Sequence, residues 1–229
     1  MPYKWLLFDV DNTLLDFDQT EALALEANFT QHGLAFPPEA KKRYHQINKS
    51  YWQRLERKEI TPETLRTGRF HDLFDELAIR YDAIVFANTY LANLGQQAPM
   101  VDGAMELLTG LNGRFQLGII TNGLADVQHS RLEKSGLKQY FSPIIISQEI
   151  GSSKPNPDIF DAAFAQMNQP TKSDVLIIGD SLSSDMVGGI NYGIDTCWFN
   201  PNGKTTDLPV THEISQLNQL SHVLNGTAV

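Results

Sequence analysis

The stretch "LLFDVDNTLLD", Leu6 to Asp16, decides how the chain is interpreted. A run of large apolar residues predicts a buried strand, and Asp9 and Asp11 follow it directly. Side chains two residues apart on an extended segment point the same way, so both carboxylates can face one point. Like charges so close repel each other unless a cation lies between them, and Mg²⁺ prefers carboxylate and phosphate oxygens. Taken alone, the pair also fits an Asx turn that ends a strand.

Four further apolar runs predict the rest of a parallel sheet. They are "FQLGII" at Phe115, "PIIIS" at Pro143, "VLIIG" at Val175 and "TCWF" at Thr196. None alternates polar with apolar residues, which is typical of strands covered on both faces. Since turn residues and helical patterns follow the runs, the sequence predicts a doubly wound α/β fold.

The long gap between the first and second runs predicts an inserted domain. From about Asp18 to Ala98 the chain offers only helical patterns, four in number. We therefore expect a core made of residues 1–17 and 99–229 and an all-α cap domain made of residues 18–98. The segment from Pro201 onward is expected to close the sheet edge and to add a last helix.

Composition limits the partners that the protein can have. With 27 acidic and 18 basic residues the formal net charge is −9, which disfavours a nucleic acid polymer as partner. No apolar run approaches the ~20 residues of a membrane span. The single cysteine, Cys197, suits a reducing compartment. We expect a cytoplasmic protein with no membrane partner.

Polar residues follow three more of the predicted strands, where ligands bind in doubly wound sheets. Thr121, Asn122 and Gly123 offer a hydroxyl and backbone N–H groups at a strand-to-helix turn, which suits an anion. Ordinary helix capping by Thr121 or Asn122 is the alternative explanation. Lys154 precedes two prolines, which hold it in a stiff loop rather than in free solution.

Two more carboxylates complete this set of strand ends. Asp180 ends "VLIIG" and Asp185 lies five residues on, near the start of the next helix, where an anion is also favoured on its own account. Each strand end alone has a structural explanation. Together, in this order, they converge on a site for a divalent metal ion and a phosphoryl group.

At this point the sequence resembles the haloacid dehalogenase superfamily, whose four motifs stand here as "DVDNT", "TNG", "SKPNP" and "GDSLSSD". The resemblance covers the whole chain and implies a Rossmann-like core with an inserted helical cap. It implies that Asp9 is the nucleophile, and that Asp11 is the general acid and then the general base. It further implies that Thr121 binds phosphate and that Lys154 holds Asp9 and the phosphate together.

The same resemblance implies a magnesium site and a branch of the superfamily. Asp9, the backbone carbonyl of Asp11 and Asp180 would bind Mg²⁺, with Asp185 in support. A second acid such as Asp11 is missing in the dehalogenases, so a phosphatase is favoured. The stretches "DNTLLDFD", "QINKSYWQRLERKEIT", "GRF" and "IITNG" are most similar to pyrimidine nucleoside 5′-monophosphatases. The candidates for contact with base or sugar lie in the cap: Asn48, Lys49, Trp52, Arg69 and Phe70.

Three alternatives remain open on the sequence alone. The same chemistry could serve a phosphosugar or another small phosphomonoester, because the motifs recognise only the phosphate. A response-regulator receiver also surrounds an aspartyl phosphate with acidic residues, a Thr and a Lys, although its aspartate ends a middle strand. A noncatalytic binding protein with this fold would be expected to have lost a motif residue. The protein is expected to be a monomer or a homodimer.

Overall fold

A computed structural model describes residues 3–226 of the chain. At its centre lies a parallel sheet of six strands in the order β3-β2-β1-β4-β5-β6. The strands are β1 (Trp5–Phe8), β2 (Gln116–Thr121), β3 (Ile144–Ile146), β4 (Val175–Gly179), β5 (Asp195–Phe199) and β6 (His212–Ile214). The prediction of a doubly wound α/β fold is confirmed.

The central strand β1 is buried on both faces, as its unbroken apolar run predicts. Leu6 and Phe8 belong to the apolar cluster on one face of the sheet, and Leu7 belongs to the cluster on the other face. Phe8 pairs with Ile119 of β2 on one side and with Ile178 of β4 on the other. The residues that follow β1, β2 and β4 therefore emerge side by side at one edge of the sheet.

Strand β6 is the one strand in the described part of the chain that no apolar run predicted. It has three residues, "HEI", and two of them are polar, so the sequence signal is weak. Reciprocal hydrogen bonds hold the chain before it. Thr196 N donates to Thr211 Oγ1 and Thr211 N donates to Thr196 Oγ1, each over 3.1 Å. The expected closure of the sheet edge by this part of the chain is thus achieved by a strand.

The helices of the insertion form a compact unit of their own, Asp18–Gln97. They are α1 (Phe17–Gln31), α2 (Ala40–Glu56), α3 (Pro62–Glu76) and α4 (Ala83–Gly95). Thr61 caps α3 by accepting from Thr64 N, and Pro62 occupies the first helical turn. Phe70 and Phe86 are fully buried in an aromatic core that joins α1, α3 and α4. That this unit acts as a cap stays a prediction.

The other helices belong to the unit that holds the sheet, which runs to Phe17 and resumes at Ala98. They are α5 (Ala104–Leu111), α6 (Ala125–Lys134), α7 (Ser147–Ile150), α8 (Pro157–Gln166), α9 (Val187–Tyr192) and α10 (Leu220–Asn225). A short π-helical segment, Leu182–Met186, precedes α9. No helix among residues 3–226 has both the length and the apolar character needed to cross a bilayer.

The chain leaves the sheet-bearing unit and returns to it through two segments that pair with each other. Leu15 and Met100 form an antiparallel bridge. Asp16 N donates to Pro99 O over 2.9 Å, and Val101 N donates to Leu14 O over 3.0 Å. We call this pair of segments, residues 14–16 and 99–101, the neck.

Candidate active site

The site is built around Asp9, the first residue after β1. Its backbone N–H donates to Ile178 O over 2.9 Å, which continues the sheet hydrogen bonding one residue past the strand. Its side chain is only 9% exposed. Burial raises the pKa of the Asp9 carboxyl well above its usual range, and the neighbouring carboxylates of Asp185 and Asp180 raise it further, although Lys154 lowers it.

Lys154 is buried against two carboxylates. Its Nζ lies 2.6 Å from Asp9 Oδ1 and 2.7 Å from Asp185 Oδ1, and it also donates to Ile120 O over 2.6 Å. Desolvation disfavours the ammonium, but the carboxylates of Asp185 and Asp9 outweigh it and raise the pKa of Lys154. The lysine is therefore a fixed positive charge, as its stiff loop predicted.

The loop that carries Lys154 is held by Asn122. Asn122 Nδ2 donates to Lys154 O over 2.9 Å, and Lys154 N donates to Asn122 Oδ1 over 2.8 Å. The side chain of Asn122 thus takes the place of a strand partner for the lysine. Its predicted binding of phosphate stays a prediction, but the side chain is already engaged with the loop.

Gly123 also has a partner that the sequence did not indicate. Its N–H donates to Ser147 Oγ over 3.1 Å, because the end of β3 runs beside the end of β2. This N–H is thus engaged within the protein, and the binding of phosphate at Gly123 stays a prediction. Thr121, the last residue of β2, is fully buried, and its hydroxyl accepts from Gln128 Nε2 over 2.8 Å.

Asp180 and Asp185 lie close together beyond β4. Asp185 is fully buried and its Oδ2 accepts from Ser181 N over 3.0 Å. A Cβ on Gly179 would lie 2.7 Å from Asp185 Cβ, so only glycine leaves room for this carboxylate. Burial raises the pKa of Asp180 to about 7, with the charge of Asp185 as the next contribution.

Asp9, Asp180 and Asp185 form a group that suits a metal ion. One carboxylate oxygen from each lies within 4.8 Å of the others. Three carboxylates face a single ammonium group, and two of them have a raised pKa, so the site has an excess of negative charge. An all-oxygen donor set of this kind fits Mg²⁺. The side chain of Asp11 is not in this group, and metal binding by its backbone carbonyl stays a prediction.

The carboxylate of Asp11 is held from another direction, by two residues of α6. Arg131 Nη1 donates to Asp11 Oδ1, and Gln128 Nε2 donates to Asp11 Oδ2 over 3.1 Å. Gln128 is 1% exposed and Arg131 is fully buried, and the guanidinium of Arg131 also lies over the ring of Phe17. Neither residue was predicted from the sequence. Their signal was a Gln and an Arg three apart on a helix face that also carries apolar residues.

The five candidates for substrate contact in the helical unit differ in exposure. Asn48, Arg69 and Phe70 are buried, whereas Lys49 is exposed and Trp52 is half-buried. Arg69 Nη1 donates to Asn48 Oδ1 over 2.7 Å, and its guanidinium lies over the ring of Phe70. These contacts place three of the five in the interior of the unit. Whether any of the five touches a substrate stays a prediction.

Known proteins similar to this chain belong to one family, and the similarity covers most of the chain. A family model described as haloacid dehalogenase-like hydrolase matches residues 6–199. Pyrimidine 5′-nucleotidase YjjG of Escherichia coli (strain K12) is 34% identical over 226 residues, which cover 98% of this chain and 99% of YjjG. Pyrimidine 5′-nucleotidase PynA of Streptococcus pneumoniae (strain ATCC BAA-255 / R6) is 37% identical over 228 residues, which cover 98% of this chain and 96% of PynA.

A solved structure is similar over the same length. The crystal structure of YfnB from Bacillus subtilis, a HAD-hydrolase by its name, was obtained with magnesium bound. It matches this chain with a TM-score of 0.92 and 36% identity, and the match covers 98% of this chain and 100% of YfnB. The likeness therefore extends through both compact units.

Proposed function

The chain belongs to the haloacid dehalogenase-like hydrolase family, and from that premise we propose that it hydrolyses pyrimidine nucleoside 5′-monophosphates through an aspartyl phosphate on Asp9. It is a phosphatase-type enzyme of this family. The observation that carries the proposal is the buried contact of Lys154 Nζ with Asp9 Oδ1 beside two further carboxylates. The substrate class rests on the two nucleotidases, YjjG and PynA.

The first half of the reaction transfers the phosphoryl group to Asp9. A carboxylate oxygen of Asp9 attacks phosphorus while the bond from phosphorus to the ester oxygen breaks. Asp11, in its acid form, gives its proton to the departing oxygen, so that the nucleoside leaves as an alcohol. Lys154 keeps the nucleophile in place and offsets negative charge as it moves from Asp9 onto the phosphoryl oxygens.

The second half releases phosphate and restores the enzyme. Asp11, now a carboxylate, takes a proton from a water molecule, whose oxygen attacks phosphorus and displaces the oxygen of Asp9. Inorganic phosphate leaves, and both aspartates return to their starting forms. The hydroxyl of Thr121 donates to a phosphoryl oxygen in both halves.

The metal ion belongs to the same proposal. Asp9, Asp180 and the backbone carbonyl of Asp11 would hold Mg²⁺, with Asp185 behind them. Bound there, Mg²⁺ supplies positive charge that lowers the repulsion between the phosphate and the carboxylate nucleophile. The excess of negative charge among the described side chains supports this assignment. We also place the reaction in the cytoplasm, as the single cysteine suggests.

One experiment separates the chemistry from the choice of substrate. The purified protein is assayed for phosphate release with Mg²⁺ on a panel of pyrimidine and purine nucleoside monophosphates, sugar phosphates and p-nitrophenyl phosphate. We expect the highest kcat/KM with a pyrimidine nucleotide. If sugar phosphates are turned over best, the nucleotidase assignment is wrong while the phosphatase chemistry stands.

The Asp9→Asn variant tests the covalent mechanism on the same panel. It removes the nucleophilic charge with almost no change in size, and we expect kcat to fall by at least about a thousandfold. Asp207→Asn is the matched control, because Asp207 is exposed and remote in sequence from every motif. Phosphate release by Asp9→Asn at the rate of the control would refute the aspartyl phosphate.

A further inference from the structure

Both the oxygen and the nitrogen of the Gln128 amide make hydrogen bonds, and the partners fix the orientation of the amide. Arg131 Nη1 donates to Gln128 Oε1 over 2.9 Å. Because a guanidinium has only donors, the amide oxygen must face Arg131 and the amide nitrogen must face the other way. The nitrogen donates one hydrogen to Thr121 Oγ1 over 2.8 Å and the other to Asp11 Oδ2 over 3.1 Å.

This orientation also settles the role of the Thr121 hydroxyl. Since Thr121 Oγ1 accepts from Gln128, its own hydrogen points away from that amide. Within residues 3–226 no acceptor takes that hydrogen. A buried hydroxyl that is ordered by one donor and still has a hydrogen to give is prepared for an external acceptor.

Gly123 makes room for this arrangement. A Cβ at position 123 would lie 2.7 Å from Gln128 Cγ, closer than real Cβ atoms approach, and 3.1 Å from its Nε2, which is tighter than most Cβ contacts. Gln128 is the fourth residue of α6, the helix that follows this glycine. The glycine of "TNG" therefore allows Gln128 to reach across to Thr121 and Asp11.

We propose that Gln128 and Arg131 are positioning residues for phosphoryl transfer, with Gln128 orienting the Thr121 hydroxyl and both residues orienting the Asp11 carboxyl. The proposal rests on the function assigned above, since it takes Thr121 as the phosphate donor and Asp11 as the acid and base. Neither residue needs to touch the substrate. The pair Gln128–Arg131 couples the phosphate-binding hydroxyl to the proton-transfer group through one amide.

The choice of leaving group tests the link to Asp11. An alkyl phosphate, such as a nucleotide, needs a proton on the departing oxygen, whereas p-nitrophenolate leaves without one. The constant kcat/KM reports the steps up to release of the alcohol, so it leaves out the later attack by water. Misplacing Asp11 should therefore lower kcat/KM for a nucleotide more than for p-nitrophenyl phosphate.

The first test compares Gln128→Met with Gln139→Met in otherwise intact protein. Methionine keeps the length of glutamine but cannot donate, and Gln139 is exposed and outside the site. For Gln128→Met we expect kcat/KM to fall by about thirtyfold with the nucleotide and by about threefold with p-nitrophenyl phosphate. The control should match the wild type with both substrates. Equal losses for the two esters would overturn the orientation of Asp11 by Gln128, and no loss with either ester would overturn both roles of Gln128.

The second test is a double-mutant cycle between Gly123 and Gln128, and it does not depend on how well Gln128→Met folds. Gly123→Ala should lower kcat/KM for the nucleotide by about tenfold in the wild-type background, because the new methyl group displaces Gln128. In the Gln128→Ala background the same change should have almost no effect, since the displaced atoms are absent. Additive losses would show that Gly123 acts independently of Gln128 and would contradict the proposal.

A third measurement uses Arg131→Lys, which keeps the charge but cannot bond Asp11 and Gln128 in the same geometry. We expect the same greater loss for the nucleotide than for the aryl ester. Failure of the underlying function looks different, because the wild type itself would then release no phosphate from any ester. A wild type that is active, with Gln128 variants equal to it, would leave the function standing and overturn only the positioning roles.

Discussion

Lys154 Nζ lies 2.6 Å from Asp9 Oδ1, and the side chains of both residues are almost completely buried. The same ammonium lies 2.7 Å from Asp185 Oδ1. One lysine therefore neutralises part of a cluster in which carboxylates outnumber cations. Removing a buried partner of this kind leaves an uncompensated charge, which costs more than the pair itself contributes.

The Lys154→Met variant should lose activity and stability but gain affinity for the metal. We expect kcat to fall at least about a hundredfold, because the ammonium group no longer offsets charge on Asp9 during transfer. Without metal, the free energy of unfolding should fall by about 3 kcal/mol. Urea titrations with and without Mg²⁺ measure the loss of stability and the stabilisation by the metal. Lys204→Met, at an exposed lysine, is the control. Mg²⁺ should stabilise the variant more than the wild type, and an equal gain would count against the shared cluster.

Binding of Mg²⁺ should weaken as the pH falls below about 7. The pKa of Asp180 is raised to about 7, chiefly by burial. Below that pH the carboxyl holds a proton that the metal must displace, so affinity should fall by up to about tenfold per pH unit and level off above pH 8. Calorimetric titrations between pH 5.5 and pH 8.5 would measure this. A constant affinity over this range would contradict the role of Asp180 as a ligand.

The raised pKa of Asp180 also predicts how the stability of the metal-free protein changes with pH. Because the pKa of Asp180 is higher in the folded protein than in the unfolded chain, the folded state holds the proton more tightly. The contribution of Asp180 is therefore most favourable at low pH and is lost as the pH rises from about 4 to about 7. Thermal unfolding of the metal-free protein should show a larger loss in the wild type than in Asp180→Asn, in which the raised pKa of Asp9 still contributes.

Gly179→Ala should disturb the acidic cluster by steric clash, without changing its charge. A methyl group at position 179 would meet the carboxyl group of Asp185, which is fully buried and has little room to move. We expect a destabilisation of about 1–3 kcal/mol and weaker binding of Mg²⁺. Gly110→Ala is the matched control, since a Cβ there meets nothing within 4 Å. Equal stability and metal affinity in the two variants would disprove the steric argument.

In the helical unit, buried and exposed candidates should behave differently on substitution. Arg69 Nη1 donates to Asn48 Oδ1 over 2.7 Å, and Asn48 Nδ2 donates to Glu21 Oε2 over 2.5 Å. Burial raises the pKa of Glu21, whereas Asn48 and the charges nearby lower it. Arg69→Met removes the buried cation of this network and should lower the free energy of unfolding by about 3 kcal/mol.

Lys49→Ala, at an exposed position next to Asn48, provides the contrast. We expect its stability to stay within about 0.5 kcal/mol of the wild type. If Lys49 contacts the base or sugar, the variant loses kcat/KM on the nucleotide and keeps it on p-nitrophenyl phosphate. An unchanged ratio between the two substrates would remove Lys49 from the specificity candidates.

The strand-end residues could be predicted because the topology alone brings them together. In a parallel sheet, the residues that follow neighbouring strands emerge at one edge, so Asp9, Thr121 and Asp180 needed no knowledge of side-chain packing. Lys154 could be predicted as well, because Pro155 and Pro157 indicated that its loop is fixed.

Gln128 and Arg131 were out of reach for a different reason. Their position depends on the angle at which α6 leaves β2 and on the space above Gly123, and neither follows from residue type or spacing. The partner of the Asn122 side chain could not be predicted for a similar reason, since it is the backbone of a loop 32 residues away. Contacts of this kind follow from tertiary packing rather than from local pattern.

The neck allows the domain inserted between its two segments to vary in size. Because residues 14–16 pair with residues 99–101, the two ends of the insertion lie side by side whatever is inserted between them. The entropy of closing a loop grows only slowly with its length, so insertions of very different size could be joined there at similar cost. The neck is thus a junction at which one helical module could be exchanged for another while the acidic cluster is left intact.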